Sequence, residues 1–572
     1  VTVDVAIIGG GPAGSTAASL LRKYDPNCSV AILEREAFPR DHVGESQLPP
    51  ISAILAEMGC WDKVEAAGFP IKIGATYRWG TTTDLWDFEF LPGSRFMDEP
   101  RPAQYVGQRT KTAFQVDRAI YDKILLDHAA DLGANILQPE RVMEVVRDGD
   151  SVRGLRTESN QLIEANHYID ASGHSGILRR AMGVSVEEPS SLRNVAIWSY
   201  WHNADWAVQI GVGGTRVQVL SLGYGWIWFI PLGPTRTSIG LIIPAEYYKA
   251  TGQKPETIYE QAIASDPMVS SLVCGAGRES KVQTTKDWSF TATRLTGENW
   301  FLAGESAGFA DPILAAGMTL AHAQAREVAY SILSIRRKEQ DATWLKERYD
   351  TINRGRIRQH IRFADFWYSA NTHFTELKEY CRTIASDAGL DLQADKAFQW
   401  LGQGGFVYDQ ADYPSIGTFP LGTVKHLVQS LGEGDAHWKV AEFSYFTTDI
   451  SGADQEDMPV YRSGSVSKLR CYVRGGKRLP YSGVYKAVMS ALAKSPRADH
   501  LIGNLMHYYE KHPEFATPQE GAYHAVQALE VMVLDGWVQA TLDPRIRPLA
   551  VQIAKEDAFI HPNRDNRVSI AK

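Results

Sequence analysis

Three short stretches of this sequence carry side chains whose types and spacing could do chemistry. In "GGGPAGSTAA", Gly9, Gly11 and Gly14 satisfy G-x-G-x-x-G, with Pro12 and Ala13 inside the motif. Such glycines provide a tight turn, close backbone approach to a pyrophosphate and close helix packing. The helix that follows adds amide hydrogens and the positive end of its dipole. In "AAGFPIKIGATYRWG", Lys72 stands among Phe69, Ile71 and Ile73. A lysine desolvated there has its charged form disfavoured, so its pKa falls toward neutrality; the commoner fate of a single lysine is a surface position with a snorkelling stem. In "GWIWFIPLG", strand geometry puts Trp226, Trp228 and Ile230 on one face and Ile227 and Phe229 on the other. Such a pair fills a core or walls a pocket.

These groups need elements to position them. "VDVAIIGGG" reads as a strand entering the glycine turn, a helix follows, and "SVAILERE" is a second strand closed by Glu34 and Arg35. Glu34 lies twenty residues after Gly14, where a carboxylate accepts ribose hydroxyls. Three later segments repeat strand, loop and helix. "TKTAFQVDRAIYDKILLDHAADLGANI" places Asp117 and Arg118 at a helix start, and "ANHYIDASGHSGILRRAMG" ends a strand in Asp170 and Gly173. "ENWFLAGESAGFADPILAAGMTLAHAQAREVAYSIL" runs from a strand through Gly304, Glu305 and Asp311 into a long helix beginning near Gly317. Each alone is an ordinary strand-to-helix turn; in this order they favour FAD over NAD.

Between Asp170 and Glu298 the pattern changes to alternating strands, "VAIWSYWHNA", "WAVQIGVG", "TRVQVLSLGYGWIWFIPLG" and "RTSIGLIIP", expected to form an antiparallel sheet over the flavin domain. No second G-x-G-x-x-G exists for NAD(P)H, so reductant comes from a transiently bound nicotinamide or from flavin reduced elsewhere. From about Trp344 the chain turns helical and aromatic. Phe363, Phe366, Trp367 and Tyr368 line a channel or pack a helix core, and a polar hairpin is expected around "KLRCYVRGGKRLPYSGVYK".

A chain of 572 residues, 44% hydrophobic and 10% aromatic, is long enough for two or three packed domains. A net charge of −8 with dispersed basic residues excludes a nucleic-acid footprint. The five cysteines form no CxxC pair, which argues against a disulfide framework and a zinc site and fits a reducing cytoplasm. No leader-like segment opens the sequence and no run of 18 apolar residues spans a membrane, so a cytoplasmic protein is expected.

Over about residues 3 to 370 this order of motifs resembles the glutathione-reductase-type FAD fold of single-component aromatic hydroxylases, geranylgeranyl reductases and flavin-dependent halogenases. It implies an α/β fold: a Rossmann FAD-binding domain in residues 1–185 and 280–345, an inserted antiparallel-sheet substrate domain in 186–279 with parts of 70–110, and a mostly helical region in 346–572. "WIWFIP" matches the W-x-W-x-I-P signature of flavin-dependent halogenases, whose tryptophans wall the flavin off from the organic substrate. Gly44-Glu45-Ser46 followed two dozen or so residues later by Lys72 is similar to halogenases acting on phenols and carrier-bound pyrroles; tryptophan halogenases carry the lysine where this chain has Val43.

The resemblance implies an enzyme that uses reduced FAD, supplied by a separate flavin reductase, with O2 and chloride or bromide to form hypohalous acid. Lys72 would hold that acid or become a haloamine and direct halogen onto an electron-rich arene or pyrrole, free or carrier-tethered. Gly9, Gly11, Pro12, Ala13, Gly14, Glu34, Arg35, Gly44, Glu45, Ser46, Arg118, Asp170, Gly173, Gly304, Glu305 and Asp311 would hold FAD; Trp226 and Trp228 would act with Lys72; Ala316 and Gly317 amides would bind halide at the helix N-terminus; no metal is implied. Three positions depart from the pattern: Glu305 replaces the usual aspartate, Ala316 the usual Ser or Thr, and Leu314 the catalytic glutamate of tryptophan halogenases, which argues against tryptophan as substrate. The alternatives are an FAD monooxygenase or reductase without halide chemistry, suggested by Ala316, and a non-enzymatic flavin-bound scaffold.

Overall fold

The computed structural model describes residues 1–90, 112–204, 214–233, 235–279, 281–402, 415–416, 419–431, 437–551, 560–563 and 569–570. By its contacts the chain forms two units, one of Val1–Ala388 with Ser463–Ser465 and Phe559–Lys572, the other of Gly389–Arg462 with Val466–Ala558. The first unit runs on past residue 345 through the helices Ala342–Ser369 and Lys378–Ala388.

Apolar runs build the parallel centre of the first unit. Strands Asn135–Leu137, Val30–Leu33, Thr2–Ile8 and Leu162–Asp170 lie side by side in that order, and Trp300–Leu302 pairs parallel with the last of them. Val5, Ala6, Ile7, Ala31 and Ile32 are fully buried, as a parallel sheet covered on both faces requires. The register pairs Ile8 with Leu33 and Asp170, and Asp170 with Leu302, so the C-terminal ends are level. Gly9, Glu34, Ala171 and Ala303 therefore leave the sheet along one edge, where ligands of such sheets bind. His322 ties the helices Pro12–Tyr24, Arg118–Asp131 and Gly317–Arg336 together: Nδ1 lies 2.8 Å from Thr16 Oγ1 and Nε2 2.9 Å from the Tyr121 hydroxyl. Burial drives this imidazole down to about 3, so it is neutral.

A second sheet in the same unit runs Ile71–Arg78, Gly214–Ser221, Trp226–Pro231, Arg236–Pro244, Arg193–His202 and Gln283–Trp288. Its pairings are antiparallel except that of Ile71–Arg78 with Gly214–Ser221, which is parallel. Trp86–Glu89 and then Ile560–Pro562 extend it beyond Ile71–Arg78. The expected strand "WAVQIGVG", 206–213, lies outside the described residues, as do residues 91–111. One face buries Leu220, Ile227, Phe229, Ile239 and Leu241 against Ile258, Tyr259 and Ala262 of helix Pro255–Ser265. The opposite face carries the tryptophans.

The second unit packs the helices Gly483–Lys494, Ala498–Lys511 and Pro518–Leu534 around Val484, Val488, Leu501, Leu505, Ala525 and Leu529. From Val466 on it also holds the hairpin of strand Ser465–Arg474 with Lys477–Pro480, in which Arg474 pairs with Lys477. A buried ion pair joins Lys425 to Glu530, with the ammonium 4.4 Å from the Trp438 ring centre. Among the described residues no helix is long and apolar enough to cross a membrane.

Candidate active site

The glycine turn has the geometry of a pyrophosphate cradle. Gly9 has φ +104°, and a Cβ on it would lie 2.3 Å from Ala171 O. A Cβ on Gly14 would lie 1.9 Å from Gly9 O, so the helix carrying Pro12 and Ala13 reaches the turn this closely only without a side chain. A Cβ on Gly11 would find only Arg40 Nη2 within 4 Å, at 3.6 Å, which leaves the backbone open on the ligand side. Glu34 follows its strand directly and accepts from Gly10 N at 2.7 Å and Glu36 N at 2.9 Å. Arg35 beside it is exposed, with Nη1 3.2 Å from Ser175 Oγ.

The other strand ends contribute differently. Asp170 is fully buried and accepts from Ser172 N, Ser172 Oγ and Arg179 N, so its carboxylate shapes its own turn. Gly173 lies beside Glu305, whose Oε2 would be 3.9 Å from a Cβ there; burial pushes the Glu305 carboxyl upward. Arg118 is bidentate to Asp122 at 2.7 and 2.9 Å and donates through Nη1 to Val43 O and Gly44 O. It thus fixes the Gly44-Glu45-Ser46 turn from beneath. Ser46 Oγ, Gln47 Nε2, the Gln115 amide and Thr319 Oγ1 are buried with no hydrogen-bond partner among the described residues. Such orphaned groups, with a cradle that only glycine leaves open, fit FAD, whose phosphates and ring edge need donors and acceptors of this kind.

Lys72 is 2% exposed and, among the described residues, makes one side-chain hydrogen bond, from Nζ to Gln47 O at 2.9 Å. Its ammonium end lies 5.4 Å from the Phe90 ring centre, and burial alone brings the amine down to about 7. A register slip decides where it points. Thr215 pairs with Lys72 but Arg216 pairs with Gly74, so Ile73 is an extra residue. The bulge puts Lys72 on the face of Thr215, Val219 and Ser221, and the last two pair with Trp228 and Trp226. Gly74 permits the crossing, since a Cβ there would lie 2.0 Å from Phe88 O.

Trp226 and Trp228 are 2% and 5% exposed, with ring centres 6.1 Å apart. Trp226 Nε1 donates to the Tyr368 hydroxyl at 2.8 Å, and Trp228 Nε1 to Ser238 Oγ at 3.1 Å. Trp228 lies flat against the next strand, where a Cβ on its partner Gly240 would be 2.0 Å from the indole. Trp79 and Trp367 join the layer, and Phe363, Phe366, Trp367 and Tyr368 are all buried on their helix. Glu45 lies below the same face, fully buried, accepting from the Tyr200 hydroxyl at 3.1 Å; burial pushes its carboxyl up to about 7.

Asp311 opens the turn that leads to the helix Gly317–Arg336 and accepts from Ile313 N at 2.9 Å. Burial raises it to about 7, and Asn194 Nδ2 and the Tyr368 hydroxyl each lie 3.4 Å from one of its oxygens. The turn closes through Ala315 at φ +52°, leaving Ala316 as the helix N-cap and Gly317 as its first residue. Leu314, in the turn, is buried.

Tyr200, Gly240, Gln47, Asn194 and the hydroxyl of Tyr368 escape the motif reading. Strand period does signal one of them, since Tyr200 alternates onto one face of "VAIWSYWHNA" with Trp198.

A level strand edge with a glycine cradle, capped by a sheet bearing an amine and two indoles, defines an FAD-dependent oxidoreductase. The FAD binding domain family matches residues 2–364. The tryptophan 2-halogenase of Chondromyces crocatus is 32% identical over 378 residues, 65% of this chain and 68% of that enzyme. The 1H-pyrrole-2-carbonyl-(peptidyl-carrier protein) chlorinase of Pseudomonas fluorescens is 29% identical over 386 residues, 65% of this chain and 85% of that one. The chain belongs to the flavin-dependent halogenases. Among solved structures, the flavin-dependent halogenase CmlS superposes with a TM-score of 0.71 at 23% identity, over 96% of this chain and 98% of its own, a likeness of fold. The myxobacterial chondrochloren halogenase CndH gives 0.58 at 25% identity, over 75% and 97%.

Proposed function

We propose that this halogenase places chlorine or bromine on an electron-rich aromatic or pyrrole substrate, free or tethered to a carrier protein. FAD, delivered reduced by a separate flavin reductase, would supply the activation of dioxygen that converts halide into hypohalous acid. The single observation that carries the reading is Lys72: a fully buried amine near neutrality, on the sheet face that bears Trp226 and Trp228. Its nitrogen lone pair takes the halogen of HOX, the hydroxide leaves with an amine proton as water, and a haloamine results. The arene then takes X⁺ and releases its proton, returning the amine. The alternative use of the same group is to hold HOX by hydrogen bond while the arene attacks it.

The remaining side chains have supporting roles. Gly9, Gly11 and Gly14 with the orphaned polar groups would hold FAD, and Trp226 and Trp228 would keep the organic substrate from the flavin side. The amides of Ala316 and Gly317, at the start of a 20-residue helix, suit a halide ion. The aromatic and carrier-bound substrates named in the tryptophan 2-halogenase and pyrrole chlorinase relatives support the substrate class.

A halide-independent monooxygenase or reductase is the second reading, favoured by Ala316, which brings no hydroxyl to the halide turn. One experiment separates the two. Purified protein receives FAD, a flavin reductase, NADH, oxygen and either chloride or bromide, with a panel of phenol, indole and pyrrole substrates, and products are read by mass spectrometry. Halogenated product that requires halide is expected. Hydroxylated product irrespective of halide would replace the first reading with the second.

A further inference from the structure

We infer that Tyr368 is a positioning residue that locks the tryptophan wall and the halide turn together, an inference that rests on the halogenase reading above. The tyrosine comes from the helix Ala342–Ser369, remote in sequence from both elements it joins. Its hydroxyl can accept two hydrogen bonds and donate one. It accepts from Trp226 Nε1 at 2.8 Å and from Asn194 Nδ2 at 3.3 Å, and its hydrogen points to Asp311 Oδ1, 3.4 Å away. Every position on that oxygen is used. Asn194 closes the ring, reaching Asp311 Oδ2 with the same amide group at 3.4 Å and accepting from the Tyr380 hydroxyl at 3.0 Å.

The chemistry makes the lock directional. An indole N–H is a donor only, and among the described residues that of Trp226 donates to Tyr368. Without that oxygen a buried N–H is left unsatisfied, and Trp226 is free to rotate toward another acceptor. On the other side, Asp311 shapes the turn Pro312–Leu314 by accepting from Ile313 N, and this turn delivers Ala316 and Gly317 to the helix start. Release of Tyr368 therefore loosens the wall and the halide amides at once. The ring itself packs on Trp79 and Phe374, with centres 5.8 and 6.1 Å away, so a phenylalanine would keep the packing and lose only the hydroxyl.

The test uses the FAD-loaded enzyme, reduced FAD, oxygen and bromide without any organic substrate, reading hydrogen peroxide release. In the wild type, bromide should suppress peroxide as halide captures the oxidising equivalent. Tyr368→Phe should need about fivefold more bromide for half-suppression, the weight of one hydrogen bond, while its maximal rate of flavin oxidation and its FAD affinity stay within twofold. Phe374→Leu, which damages the same packing without touching the hydroxyl, should leave the bromide requirement unchanged. The lock is overturned if Tyr368→Phe matches the wild type, or if Phe374→Leu raises the bromide requirement equally. If wild-type peroxide release ignores bromide altogether, the halogenase reading itself fails and takes the lock with it.

Discussion

Lys72 Nζ donates to Gln47 O at 2.9 Å, so the buried amine of one strand is tied to the residue that follows Gly44-Glu45-Ser46. The amine is held by a neutral carbonyl, and among the described residues no carboxylate contributes to its shift. A charged partner would have kept it protonated; a carbonyl leaves the lone pair available near pH 7.

Lys72→Ala is expected to separate two half-reactions. Reduced flavin should still be oxidised at close to the wild-type rate, while halogenated product falls by about 100-fold or more, the usual weight of a positioned catalytic group. Stopped-flow absorbance and product mass spectrometry check the two halves. Full halogenating activity in the variant would remove the amine from the mechanism.

The pH dependence follows from the same group. Its folded value of about 7 lies below the ordinary 10.5, so the neutral, reactive form grows as pH rises through 7. Halogen transfer should climb along a limb centred near pH 7 and level off above it, and flavin oxidation should not share that limb. The unfolded chain binds the proton more tightly than the folded one between about 7 and 10.5, so this group makes the fold more stable as pH rises through that window. Glu45 acts oppositely. Its folded value of about 7 exceeds the ordinary 4.5, so its stabilising contribution is complete below 4.5 and fades as pH rises to 7. Glu45→Gln should flatten that decline, by about 3 kcal/mol at most, in urea titrations at successive pH values, and should leave the Lys72 limb in place.

The glycine turn offers a paired test. A side chain at Gly11 meets only Arg40 Nη2, so Gly11→Val should fold and yet lose bound FAD, seen as loss of flavin absorbance with unchanged circular dichroism. Gly14→Ala meets backbone at 1.9 Å and should instead lower thermal stability, by about 1–3 kcal/mol. Stoichiometric FAD in Gly11→Val would refute the cradle.

Gly240 gives access to the wall without touching an indole by mutation. Its Cβ would occupy the place of Trp228, so Gly240→Ala should displace that ring and cost about 1–3 kcal/mol of stability. Displacement should raise hydroxylated side product relative to halogenated product on any confirmed substrate. An unchanged product ratio with a shifted Trp228 would deny the tryptophan its shielding role.

Local spacing made some of this legible in the sequence and long-range pairing hid the rest. The glycine turn, the strand before it and Glu34 sit within 34 residues, and the helix Gly317–Arg336 follows an apolar strand and a glycine loop, so periodicity alone outlines the FAD domain. The two faces of Trp226–Pro231 follow from a period of two. Tyr368 reads in sequence only as one more helix aromatic, because its partner lies 142 residues away, and the 155 residues between Glu45 and Tyr200 hide that contact likewise. A parallel strand pair within an otherwise antiparallel sheet leaves no local mark either, since pairing direction is decided by the connections rather than by side-chain alternation.

The bulge at Ile73 makes the face that Lys72 occupies a matter of counting. Were the bulge closed with Ile73 taken into the ladder opposite Thr215, Lys72 would fall opposite Gly214 and turn away from Trp226 and Trp228 while every side chain of the site remained in the sequence. A search for working relatives by residue identity would pass such a chain as intact. The pairing of this lysine with Thr215 is therefore as informative a marker of competence as the lysine itself.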